Sequence, residues 1–101
     1  MIYITQLIFV KPGKEEIFLE FESKVLPLLQ KHGGEITYRV RPEKESFIDH
    51  TEGETPYEIH FVTFPSEADL QGYMKDDSRL KFMHLKEESV RSTLLVKGER
   101  M

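Results

Sequence analysis

The chain has no cysteine among its 101 residues, which removes disulfide frameworks, thiolate metal sites and cysteine nucleophiles from consideration. Long apolar runs are missing too. Lys, Glu or Asp interrupts every candidate before the roughly 20 consecutive apolar residues that a membrane-crossing helix needs. The amino-terminal MIYITQLIFVKPGK lacks the basic lead, sustained apolar run and small-residue cleavage site of a signal peptide, so a cytoplasmic location is expected. Nor is there a basic stripe. The 14 Lys and Arg are scattered among 18 Asp and Glu for a net charge of −4, so neither nucleic acid nor membrane is expected as a partner. There is no Gly-x-Ser-x-Gly nucleophile motif. Gly33-Gly34 follows a helical pattern instead of preceding one, so it cannot cradle a phosphate at a helix amino terminus.

What is present reads as alternating strands and helices. Ile2 to Val10 is β-branched and aromatic almost throughout, ends at Lys11-Pro12-Gly13, and predicts a central strand. From Lys14 to His32, Ile17, Phe18, Phe21, Val25, Leu28 and Leu29 recur at helical spacing, with a bend expected at Pro27 and a left-handed stop at Gly33-Gly34. Glu35 to Arg41 alternates, with Ile36, Tyr38 and Val40 on one face and Thr37, Arg39 and Arg41 on the other. Glu43 to Thr55 is a long, charged, aperiodic loop. Tyr57 to Phe64 alternates again, Tyr57, Ile59 and Phe61 opposing Glu58, His60, Val62 and Phe64. Ser66 and Asp69 resemble a capping box and open a second helix through Leu70, Tyr73 and Met74. After the break at Asp76-Asp77-Ser78 a further helical segment reaches about Arg91, and a last strand spans Thr93 to Val96.

Strand, helix, strand, strand, helix, strand is the split βαβ order, which puts both helices on one face of an antiparallel sheet. The fold class is thus α+β, a single ferredoxin-like βαββαβ domain. The first strand is apolar on both sides, Tyr3, Leu7 and Phe9 opposing Ile2, Ile4, Ile8 and Val10, so the second sheet face also needs cover. A second copy of the sheet supplies it, giving a homodimer and a dimeric α+β barrel.

The simplest antiparallel register sets Arg39 opposite His60 and Arg41 opposite Glu58, on the face expected to meet the dimer partner. One reading makes this an anion or enolate site, with His60 as acid or base and the arginines holding the ligand. The plainer reading is a polar ladder that fixes dimer register. Gln6 interrupts the apolar first strand and requires hydrogen-bond partners, from a ligand or from a neighbouring strand. His84 is a candidate base or axial ligand, or else a helical surface histidine. Tyr38 and Tyr73 are candidate hydrogen-bond donors in the cleft between sheet and helices, or core tyrosines. Asp49, His50, Glu52 and Glu54 are hard ligands without the spacing of a calcium loop, so no metal is expected there.

The segment from Tyr57 through Leu70, with Phe64-Pro65-Ser66, then Tyr73-Met74 and the Asp76-Asp77-Ser78 break, resembles the second half of dimeric α+β barrel proteins. It is most similar to uncharacterised small-domain families and to the antibiotic-biosynthesis-monooxygenase-like family. That resemblance implies a small-molecule ligand between sheet and helices and monooxygenase chemistry without a cofactor on aromatic or enolisable substrates. Its alternatives are a non-catalytic homodimeric module and a haem-binding or haem-degrading protein. For the haem branch Gln6, Tyr73 and His84 correspond by position, with glutamine for asparagine and tyrosine for tryptophan.

Overall fold

A computed structural model describes residues 1–49 and 53–101. Strand β1 (Ile2–Val10) is followed by helix α1 (Glu15–Val25), a 3₁₀ segment over Leu26–His32, and strand β2 (Glu35–Val40). A 3₁₀ turn at Lys44–Ser46 precedes β3 (Glu58–Phe64), after which come α2 (Glu67–Met74), α3 (Asp77–Leu80), α4 (Met83–Ser89) and β4 (Val90–Gly98). The sheet order is β2-β3-β1-β4, with every neighbouring pair antiparallel. The expected split βαβ architecture is therefore present, with the helices on one face.

Local chemistry explains the boundaries. Pro27 sits at the start of the 3₁₀ segment, where its missing N–H leaves no donor unpaired, so the bend expected there is a change of helix type. Gly33 then caps that segment with φ 73°, and a Cβ on it would lie 2.9 Å from Pro65 Cγ. Ser66 caps α2 by accepting the Asp69 N–H at 3.2 Å. The segment after Asp76 is shorter than its apolar spacing suggests: α3 and α4 are separate, and β4 begins at Val90, ahead of the expected Thr93. Asp76 divides them. Its carboxylate accepts the Ser78 N–H at 2.8 Å and is held by His32 Nε2 at 2.7 Å and Lys31 Nζ at 3.1 Å. Those bonds keep the Asp76 carboxyl well below its ordinary range.

Two register facts decide what faces what. In β3, Ile59 and Phe61 point away from the helices and Glu58, His60, Val62 and Phe64 are buried towards them. In β2 the ladder slips between Ile36 and Tyr38, so Ile36 pairs with Val62 but Tyr38 pairs with Phe61 and Arg39 with His60. Thr37 is the extra residue. The bulge moves Tyr38 and Val40 onto the face opposite Ile36, against the strict alternation that the sequence suggests.

The core beneath the helices is split. Ile4, Leu29, Val62, Phe64, Leu70 and Tyr73 form one buried cluster, and Ile8, Phe18, Phe21 and Val25 form another. Gln6, Glu22 and His60 line the cavity between sheet and helices together with members of both clusters. A polar seam thus crosses an apolar interior.

Candidate active site

The site begins with a row across the sheet. Arg39 on β2 pairs with His60 on β3, His60 with Gln6 on β1, and Gln6 with Leu95 on β4. The register expected for Arg39 and His60 is the one observed, but the face is not. The cluster of Arg39, Arg41, Glu58 and His60 lies beneath α1 and does not face outward to a dimer partner, because Glu22 of α1 joins it. Four ionisable groups in alternation look like a wet face. Glu58 and His60 are nonetheless buried, and the half-exposed Arg39 and Arg41 match the charge from the rim.

Glu58, 1% exposed, is the hub. Its Oε1 accepts from Arg39 Nε at 2.6 Å and bonds His60 Nε2 at 2.5 Å, while its Oε2 accepts from Arg41 Nη2 at 3.1 Å. Burial alone would raise its pKa. The bonds from His60, Arg39 and Arg41, with Glu22 nearby, outweigh it and hold Glu58 far below the usual carboxylate range. Arg41 also lies over the Tyr57 ring, 4.7 Å from its centroid.

Glu22 behaves oppositely. It sits in the buried stripe of α1 with Phe18, Phe21 and Val25, and its Oε1 accepts from Arg39 Nη2 at 2.8 Å. Its Oε2 is buried, lies 3.1 Å from His60 Nε2, and has no hydrogen-bond partner among the described residues. The contact is close but not aligned as a hydrogen bond. Burial, reinforced by the Glu58 charge, pushes the Glu22 pKa up. For His60 burial works to lower the pKa, but Glu22 and Glu58 prevail and raise it. One glutamate is thus a fixed anion, and its neighbour is poised to gain or lose a proton beside an imidazolium.

Ligand atoms of Glu22, Glu58 and His60 lie within 4.8 Å of one another, a donor set suited to a divalent cation. Arg39 already bonds both carboxylates and Arg41 bonds Glu58. A cation would have to displace a guanidinium.

The cavity has a volume of about 100 Å³ and mostly apolar walls. An engineered apolar cavity of about 150 Å³ takes benzene, so an aryl ligand here requires the walls to move apart. Of the residues singled out from the sequence, Gln6, His60 and Tyr73 line it. Tyr73 is buried, its hydroxyl 3.5 Å from the Val25 carbonyl oxygen, and burial raises its pKa. Arg39 and Arg41 stand behind the cavity as partners of its carboxylates. Tyr38 does not reach it. The bulge turns that side chain to the face away from the helices, where its ring lies tilted against Phe61 with centroids 5.5 Å apart and it is 55% exposed. His84 is exposed on α4 and is not part of the cavity wall, so Gln6, Tyr73 and His84 do not converge. In the long loop Asp49 is exposed and Glu54 pairs with Arg91. His50 and Glu52 lie outside the described residues.

The sequence reading missed Glu22, Arg79 and Lys86, which also line the cavity. For Glu22 a signal existed. It falls four residues after Phe18 and three before Val25, a lone charge in the middle of an apolar stripe.

No family model and no curated protein matches the chain. Solved structures do. A protein of unknown function from Rhodopseudomonas palustris is similar with a TM-score of 0.85 at 14% identity, covering 99% of this chain and 82% of that one. A dimeric ferredoxin-like protein of unknown function from Jannaschia sp. CCS1 gives 0.71 at 18%, with 98% of each chain covered. An antibiotic biosynthesis monooxygenase gives 0.69 at 13%, covering 100% of this chain and 99% of that one. At these identities the likeness is one of architecture: the chain has the ferredoxin-like fold, shared with dimeric proteins of unknown function and with an antibiotic biosynthesis monooxygenase.

Proposed function

We propose that the chain is a small-molecule enzyme whose cavity holds an aromatic or enolisable substrate and whose Glu22–His60 pair moves a proton on it. The observation that carries this reading is the buried Oε2 of Glu22, which has no hydrogen-bond partner among the described residues and belongs to a side chain in the cavity wall. A buried carboxylate oxygen without a donor is unfavourable by about 1–3 kcal/mol unless a ligand supplies one. A phenol hydroxyl or an acidic C–H supplies it. Glu22, with its raised pKa, takes the proton, and the His60 imidazolium returns one. Glu58, Arg39 and Arg41 fix the imidazole and balance charge.

The likeness to an antibiotic biosynthesis monooxygenase suggests where the anion goes next. In a reaction of that type the deprotonated substrate gives dioxygen four electrons in all, two as the carbanion forms a C–O bond to a hydroperoxide and two as that hydroperoxide eliminates water. One oxygen atom replaces two hydrogens of the substrate carbon, and the other leaves as water.

Assembly follows from the opposite face. Tyr38, Phe61, Leu94 and Val96 lie there, exposed, and two similar structures are dimeric ferredoxin-like proteins. A second copy of the sheet covers this patch and leaves each cavity within its own protomer. Phe61→Asp yields monomers in sedimentation; a monomeric wild type would contradict the assembly.

The catalytic reading is tested with phenylpyruvate, an enolisable aryl acid, in D2O. The protein accelerates methylene exchange followed by NMR, and Glu22→Gln slows it about 10²–10⁴-fold with the fold intact. Exchange at the buffer rate, or an unaffected Glu22→Gln variant, would contradict it.

A further inference from the structure

The charges around Glu58 are matched, but two cations elsewhere in the same cavity wall are not. Arg79 on α3 is 7% exposed, and its Nε has no hydrogen-bond partner among the described residues. The guanidinium donates one long hydrogen bond, from Nη1 to the Met74 carbonyl oxygen at 3.4 Å. Its guanidinium lies 5.0 Å from the centroid of the Tyr73 ring. Lys86 on α4 is partly buried, and no carboxylate among the described residues pairs with either side chain. The two repel: burial and the Arg79 charge both depress the Lys86 pKa. Both side chains line the cavity.

A buried guanidinium without a carboxylate is unfavourable, and one next to an ammonium more so. Asp77, the acid nearest in sequence, is exposed, and Asp76 before it is committed to His32, Lys31 and the Ser78 N–H. Glu22 is committed to Arg39. Among the described residues no carboxylate pairs with Arg79 or Lys86, so an anionic ligand would supply the missing charge. We propose that Arg79 and Lys86 form an anion subsite and that the ligand class is a small aryl or alkyl monocarboxylate, with its apolar body against the core clusters. The Arg79 fork suits a planar two-oxygen group, and Lys86 adds a mobile point charge. Arg39 and Arg41, which the sequence offers as the anion holders, are already neutralised by Glu22 and Glu58.

This inference rests on the cavity being the ligand site and names the ligand's charge. Thermal melting and calorimetric titration of the full chain with benzoate, and with benzamide as its neutral isostere, test it. Benzoate raises the melting temperature by several degrees and benzamide does not; Arg79→Met weakens benzoate binding about tenfold or more. Lys86→Met, at a less buried position, gives the same direction and covers the case in which Arg79→Met fails to fold. Equal affinity for benzoate and benzamide, or unchanged benzoate affinity in both variants, would overturn the anion subsite and leave the cavity reading standing. Binding of neither compound, together with phenylpyruvate exchange at the buffer rate, would overturn both.

Discussion

At one part of the cavity wall Glu22 and His60, with Glu58, Arg39 and Arg41 behind them, bond one another until their charges nearly cancel, while at another Arg79 and Lys86 meet apolar side chains and each other. Both groups are ionic and both include buried members, Glu22, Glu58 and His60 in one and Arg79 in the other, yet they differ in what removing a member does. A matched cluster contributes to stability through its bonds, so losing its hub leaves buried charges stranded. An unmatched pair opposes stability in the free protein, so losing a member costs little until a ligand arrives. Charge balance, more than burial, therefore separates the part that holds the fold from the part that holds a ligand.

The largest effect expected on this comparison is that of Glu58→Ala, which removes one bond each from Arg39, Arg41 and His60 and leaves Glu22 as the one carboxylate of the cluster. Urea unfolding should show a loss of about 3–5 kcal/mol. A loss under 1 kcal/mol would make the cluster a solvated ornament and erase the contrast.

Next comes pH. The His60 pKa is raised above its ordinary 6.5, so the stability it contributes is complete below that value and is lost as pH rises through the folded one. The Glu58 pKa is lowered from 4.5, so its contribution is present above 4.5 and disappears as pH falls through the folded value. Glu22 is raised from 4.5, which makes its ionisation above 4.5 unfavourable to folding. Stability should therefore fall on the alkaline side of the imidazole range, and His60→Gln should flatten that fall in denaturant titrations across pH. An unchanged alkaline limb in the variant would assign the pH dependence to other groups.

Arg41→Ala removes a half-exposed partner of Glu58 and its contact with Tyr57, for a loss of about 1 kcal/mol. Arg79→Met should have the smallest effect of all on the free protein, within about 1 kcal/mol in either direction, since it deletes an uncompensated cation and keeps an apolar stem. If Arg79→Met costs as much as Glu58→Ala, the two parts of the wall are alike and the comparison fails.

Strand and helix order was legible because periodicity and turn residues agree at Lys11-Pro12-Gly13, Gly33-Gly34 and Pro65-Ser66. The pairing of Arg39 with His60 was legible from alternation alone. Which sheet face they occupy was not, since β1 is apolar on both sides and so fits either layer. Tyr38 was misplaced because a one-residue bulge at Thr37 reverses alternation and leaves no mark in composition. Arg79 and Lys86 sit on helices of 4 and 7 residues, too short for an apolar stripe to reveal which charges turn inward. His84 belongs to the same short helix as Lys86 but is exposed, a difference that spacing in the sequence does not encode.

The central claim, that Glu22 and His60 form a proton-transfer pair against a permanently ionised Glu58, needs no substrate to be tested. An NMR titration of the His60 ring and of the Glu22 and Glu58 carboxyl carbons reads each group directly. The account predicts that His60 titrates above 6.5, Glu22 above 4.5 and Glu58 below 4.5. A His60 that titrates below 6.5, with both glutamates ionised throughout, would contradict it and leave the cluster a structural ion network.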